Sequence, residues 1–217
     1  MTDTLVVDYV RPHWQHSALV LVDVQADFLD GPAAVAGTSD LMGNMSQLAT
    51  AYRAAGRPVI HVVRLYRPGS TDVDPPRRAM IQNGGRMVTP GSSGSQIPAS
   101  LLPHPVELDH ELLLSGGLQQ LGAREHILYK PRWSAFYRTQ LHQHLRALGV
   151  DTVVVAGCNL PNCPRGTLFD ASERDYRAVA VIDATSQATP ERLADLGLIG
   201  VAVATTDEVV KYQQNAT

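Results

Sequence analysis

Val153-Val154-Val155-Ala156-Gly157-Cys158-Asn159-Leu160-Pro161-Asn162-Cys163-Pro164-Arg165-Gly166-Thr167-Leu168-Phe169-Asp170-Ala171 reads as a buried strand, a tight turn, and a thiol at the mouth of a helix. The strand is apolar on both faces, the pattern that a parallel sheet covered by helices requires. Pro164, next to the thiol, is tolerated in the first turn of a helix. A helix N-terminus carries partial positive charge and free N–H groups. Both favour a thiolate, the nucleophilic form of cysteine. The placement predicts an enzyme that uses Cys163 as its nucleophile.

Outward from this stretch the same rhythm repeats. Apolar runs at Ala18–Val22, Arg57–Val63, His126–Tyr129, Ala178–Ile182 and Gly200–Ala204 make six expected strands with Thr152–Ala156. Helical spacing of apolar residues marks Asp40–Ala55 (Leu41, Met45, Leu48, Tyr52) and Thr139–Leu148 (Leu141, Leu145, Leu148). Shorter helices are expected at Thr167–Asp175 and Pro190–Leu196. Alternating buried strands and helices predict an α/β layered sheet with right-handed crossovers. Tyr66–Leu102 breaks the rhythm: it is rich in Pro, Gly, Ser and Arg, as lids and binding loops are. No internal repeat or domain boundary is visible, so residues 1–217 are expected to form one domain, with residues 1–16 as an N-terminal arm.

Composition excludes several classes. The chain has 217 residues, 44% hydrophobic and 18% charged, the balance of a globular protein. A formal net charge of -3 argues against a nucleic-acid partner. No apolar run reaches the length of a membrane span. Met1–His16 lacks a basic segment followed by an apolar one, so no signal peptide is expected and the cytoplasm is the expected location. Two cysteines cannot build a disulfide scaffold.

Ligands in open α/β sheets sit beyond the carboxyl ends of the strands. Asp23, Lys130 and the Gly157–Cys163 turn all follow strand ends, so one edge is expected to gather them. Asp23 is suited to take the thiol proton and return it to a leaving amine. Lys130 supplies a cation, and backbone N–H groups of the turn face a developing oxyanion. The set fits acyl transfer from an amide-like substrate to sulfur, then thioester hydrolysis. Singly, each residue has a structural reading: Asp23 as a turn residue, Lys130 as solvated, Cys163 as packing. Cys158 is expected to pack, and Trp133 and Phe136 are equally core or pocket wall.

These residues resemble a known family. Val22-Asp23-Val24-Gln25-Ala26-Asp27-Phe28 is similar to the D-x-Q-x-D-F opening of the isochorismatase-like cysteine hydrolases. Lys130 to Phe136 resembles their K-x-x-x-S-A-F segment, and Val154 to Gly157 followed by Cys163 resembles their nucleophile turn. Asp183-Ala184-Thr185 and Thr89-Pro90-Gly91-Ser92 resemble two further segments, so the likeness runs from about Ala18 to Ala204. The resemblance implies a three-layer α/β/α fold with a six-stranded parallel, Rossmann-like sheet. It implies an Asp23–Lys130–Cys163 triad, a cis peptide at Cys158-Asn159, and an oxyanion hole from the N–H groups of Asn159 and Cys163. It also implies a homo-oligomer.

The departures from the family point to the substrate. The nicotinamidase branch carries a D-x-H metal motif after the second strand, where this chain has Arg64-Leu65-Tyr66-Arg67. No metal or other cofactor is therefore expected, His61 reads as a core histidine, and nicotinamide falls in rank. Asn159, Asn162 and Arg165 crowd the turn with polar groups suited to a polar or carboxylated amide: a carbamoyl, ureido or amic acid. Phe28, Trp133, Asn162 and Arg165 are the expected substrate contacts. The expected activity is hydrolysis of a C–N bond in such a small molecule. The alternatives are an isochorismatase-type vinyl-ether hydrolase, which needs the Asp but not the thiol, and a non-catalytic binding protein on the same fold.

Overall fold

The computed structural model describes residues 8–215. The first seven residues of the expected N-terminal arm lie outside them. In chain order the elements are β1 (Ser17–Val22), α1 (Ala26–Leu29), α2 (Met42–Ala54), β2 (Val59–Val63), α3 (Pro75–Gln82), α4 (His110–Leu114), β3 (Leu118–Gly122) and β4 (Glu125–Tyr129). They continue with α5 (Leu141–Ala147), β5 (Thr152–Gly157), α6 (Cys163–Ser172), β6 (Arg177–Thr185), α7 (Pro190–Gly197), β7 (Ala202–Ala204) and α8 (Thr206–Asn215). The sheet order is β3-β4-β2-β1-β5-β6-β7. Six strands are parallel, as expected. A seventh, β3, pairs antiparallel with β4 at one edge.

Apolar residues on both faces of each central strand explain the three layers. Leu19, Leu21, Val59, Ile127 and Val154 face α2 and α8, packing on Met45, Leu48, Tyr52 and Val209. Ala18, Val20, Val62, Val153 and Val155 face α5, α6 and α7, packing on Leu141, Leu145, Leu168 and Leu196. Hence β1, β2 and β5 run buried end to end. All three terminate at the same sheet edge, where β1 lies between β2 and β5.

The 66–102 excursion is more ordered than its composition suggests. It contains α3 and two short 3-10 turns, and its apolar residues Val73, Ile81, Met87 and Val88 form a small core with Phe28, Tyr66 and Cys158. The described part of the arm folds back on its own chain. His13 N–H donates to Thr152 Oγ1 at 3.0 Å, and Trp14 stacks on Tyr212 of α8 with centroids 4.4 Å apart.

Candidate active site

Asp23 is the first residue past β1. Its backbone sits at φ 55, an uncommon region for a non-glycine residue, and its N–H donates to Val62 O at 2.8 Å. Lys130 stands just past β4, its N–H held by Val63 O. Its Nζ donates to Asp23 Oδ2 at 2.7 Å. The lysine is fully buried and the carboxylate nearly so. Two charges withdrawn from water are tolerable only when paired this closely. Asp23 Oδ1 has no hydrogen-bond partner.

Gly157 closes β5 at φ 120, and a Cβ there would lie 2.2 Å from Val22 O. Only glycine lets the end of β5 pass β1 so closely. The Cys158-Asn159 peptide that follows is cis. Cys158 N–H donates to Val22 O and Leu160 N–H to Ser186 O, both at 2.8 Å. The N–H groups of Asn159 and Cys163 donate to no acceptor among the described residues. Cys163 begins α6, and Thr167 Oγ1 ties that turn to the lysine segment. It donates to Cys163 O at 2.8 Å and accepts from Ala135 N–H at 3.0 Å.

The state of the thiol differs from the sequence expectation. Burial, then the Asp23 charge, pushes Cys163 up to about 12, although Lys130 and Arg64 pull it back. Desolvation outweighs the helix terminus, so Cys163 rests as a thiol beside the Asp23 charge. Cys158, equally buried, is pushed up to about 11 and packs as expected.

The rest of the first motif builds the walls. Gln25, fully buried, donates to Arg64 O and Ser95 O and accepts from Arg64 N–H at 2.7 Å, which stitches the ends of β1 and β2 together. Asp27 accepts from Val88 N–H at 2.5 Å, and Gly94 lies so close that a Cβ would sit 2.0 Å from Asp27 Oδ1. Phe28 is buried beneath the excursion. Arg64 extends into the site, donating to Lys130 O at 3.3 Å and to the Asp74 carboxylate. Its guanidinium carbon lies 5.2 Å from the Tyr66 ring centroid and 5.5 Å from that of Trp133.

The isochorismatase domain model matches residues 17–209. The chain belongs to the isochorismatase family. It is 34% identical to a probable inactive nicotinamidase from Arabidopsis thaliana, over 90% of this chain and 95% of the relative. It is 28% identical to the ureidoacrylate amidohydrolase RutB of Methylobacterium radiotolerans, over 84% of this chain and 72% of the relative. Among solved structures it is similar to the N-carbamoylsarcosine amidase of Thermoplasma acidophilum. The TM-score there is 0.70 at 28% identity, covering 88% of this chain and 96% of the other.

Within this isochorismatase-family site the expected contacts divide. Asp23, Lys130 and Cys163 come together. Trp133 lines the cleft beside the arginines, whereas Phe136 stacks on Tyr176 in the core. Asn162 is exposed at the lip of the turn. Arg165 reaches Asp195 of α7 at 3.7 Å and lies over Phe169, and two further cations, Arg64 and Arg77, stand beside Trp133. Composition hid Arg77, because the excursion reads as loop; the Asp74–Arg77 spacing was the available signal. Where the nicotinamidase branch has its metal motif, Arg64 and Tyr66 present a cation and a phenol, a set that does not fit a metal ion. No group of three or more His, Cys, Asp or Glu able to hold one exists among the described residues. His61 bonds Glu125 at 2.7 Å, as a core histidine does. A neighbouring cavity of about 320 Å³, lined by Tyr66, Asp72, Tyr129 and Pro131, excludes the reacting groups.

Proposed function

We propose that the protein is a cysteine-dependent hydrolase that cleaves the C–N bond of a small amide, carbamoyl or ureido compound without a metal. One observation carries this reading: a buried carboxylate, one oxygen bound to Lys130 and the other unpartnered, stands in the same site as a buried cysteine at a helix start. Asp23 Oδ1 takes the thiol proton as sulfur attacks the carbonyl carbon. The free N–H groups of Asn159 and Cys163 receive the carbonyl oxygen as it becomes an oxyanion. Collapse breaks the C–N bond, and the proton on Asp23 leaves with the amine. Asp23 then takes a proton from the water that attacks the thioester; collapse breaks the C–S bond, the acid leaves, and Asp23 returns the proton to sulfur. Lys130 holds Asp23 in place at the start of each half. The names of two relatives, a ureidoacrylate amidohydrolase and an N-carbamoylsarcosine amidase, support the substrate class.

Ammonia release from a panel of small amides, ureas and carbamoyl acids tests the proposal. Cys163→Ala is expected to lower turnover by about 10³-fold or more with its circular dichroism unchanged. Mass spectrometry should find an acyl group on Cys163. Turnover that survives the substitution sinks the reading. A homo-oligomer is also proposed, supported by the exposed Tyr9, Val10 and Leu198; light scattering at the mass of one 23.5 kDa chain would exclude it.

A further inference from the structure

The charges of the cleft do not cancel. Asp23 and Lys130 neutralise each other, and so do Asp74 and Arg64. Arg77 of α3 is left over. Its Nε is 3.9 Å from Asp74 Oδ2, but that carboxylate already answers Arg64. Its Nη1 donates to the uncharged Tyr66 hydroxyl at 2.9 Å. Asp72 pairs with Arg132 and Arg138, and Asp27 accepts from Val88 N–H; neither carboxylate is in ion-pair contact with Arg77. An unmatched cation in a partly desolvated place is unfavourable unless something anionic joins it.

The surroundings fit a small ligand. The guanidinium carbon of Arg77 lies 5.8, 5.7 and 5.4 Å from the ring centroids of Phe28, Tyr66 and Trp133. These rings come from α1, the end of β2 and the lysine segment, so three separate parts of the chain converge on one cation. Its side chain keeps 25% exposure, while Arg64 and Asp74 are sealed. The planar fork of donors on a guanidinium is matched by a carboxylate.

We propose that Arg77 is the specificity residue of this site: walled by Phe28, Tyr66 and Trp133, it receives a carboxylate carried by the substrate away from the scissile amide. The assignment rests on the hydrolase reading for what the rest of the substrate is, and it makes that substrate an amide, carbamoyl or ureido acid.

A binding measurement tests it without turnover. Short ω-ureido acids and their uncharged methyl esters are titrated by calorimetry into Cys163→Ala protein. At least one acid is expected to bind about tenfold or more tightly than its ester. In Cys163→Ala carrying Arg77→Gln or, independently, Arg77→Met, that preference is expected to vanish. Equal affinity for acid and ester, no binding of any acid, or a preference that survives both substitutions in folded protein overturns the proposal. Selective binding of the acids with no ammonia release by the unmodified protein would uphold Arg77 and sink the hydrolase reading. Ammonia release with no Arg77-dependent preference would do the reverse.

Discussion

At the residue scale the thiol, its base and the lysine form one electrostatic unit. Burial and the Asp23 charge hold the Cys163 proton in place, so the sulfur becomes charged only when a substrate arrives. This gives a result that a solvated thiol would not show. Asp23→Asn removes the negative charge and leaves Lys130 unpaired beside the sulfur. The Cys163 thiol is then expected to become more acidic, and alkylation by iodoacetamide at neutral pH to become faster than in the parent. Turnover is expected to fall by about 10²–10⁴-fold, the contribution of a general base. Slower alkylation in the variant would contradict the arrangement. Residues close to the triad in sequence were legible: Asp23, Lys130 and Cys163 follow strand ends, and Gly157 precedes a turn. Asp74 and Arg77 were not, because their importance lies in where α3 folds.

At the element scale the turn after β5 depends on a single missing side chain. Gly157→Ala would set a methyl group 2.2 Å from Val22 O and impose a positive φ on alanine. The substitution is expected to destabilise the protein by about 3 kcal/mol or more in chemical denaturation. A change within about 0.5 kcal/mol, the range of ordinary surface substitutions, would show that β1 and β5 are not pressed together there. Periodicity found the central strands because burial on both faces leaves continuous apolar runs. It missed β3, whose Leu118-Gln119-Gln120-Leu121-Gly122 lies at the sheet edge and is only partly covered. It also missed α8, although Thr205 and Glu208 cap each other there: Thr205 N–H donates to Glu208 Oε2 at 2.8 Å. The Asp183 motif anchors the same helix, accepting from Thr206 N–H and hydroxyl.

At the scale of the whole molecule, one buried network links the sheet to the helices above it. Arg53 of α2 grips Glu125 of β4 with two nitrogens, and His61 of β2 bonds the same carboxylate. Burial holds His61 neutral, its proton affinity below that of a free imidazole. The unfolded chain therefore binds a proton near pH 6.5 that the folded one refuses, and stability falls as pH drops below that point. Burial alone would raise Glu125, but its bonds to Arg53 and His61 prevail and hold it at about 2. Its contribution is complete above about 4.5 and is lost as pH falls toward 2. Both effects have the same sign. The melting temperature is expected to decline steadily from pH 7 to pH 4, and His61→Gln to flatten the limb around pH 5.5–6.5. An unchanged melting temperature across that range would contradict the linkage.

The sequence by itself determined the layered α/β fold, the order of the parallel strands along the chain, and the edge where the candidate nucleophile, acid and lysine meet. These follow from local patterns: two-sided apolar runs, strand ends, and a glycine-containing turn. Tertiary structure decided what the pattern could not carry. It set the protonation of Cys163, because desolvation depends on what covers the sulfur. It turned Arg165 toward Asp195 and brought Arg77 among three rings, because a long side chain on a helix or loop goes where its neighbours allow. Charge balance inside a cleft is a sum over groups distant in sequence, and only the folded chain brings them close enough to count.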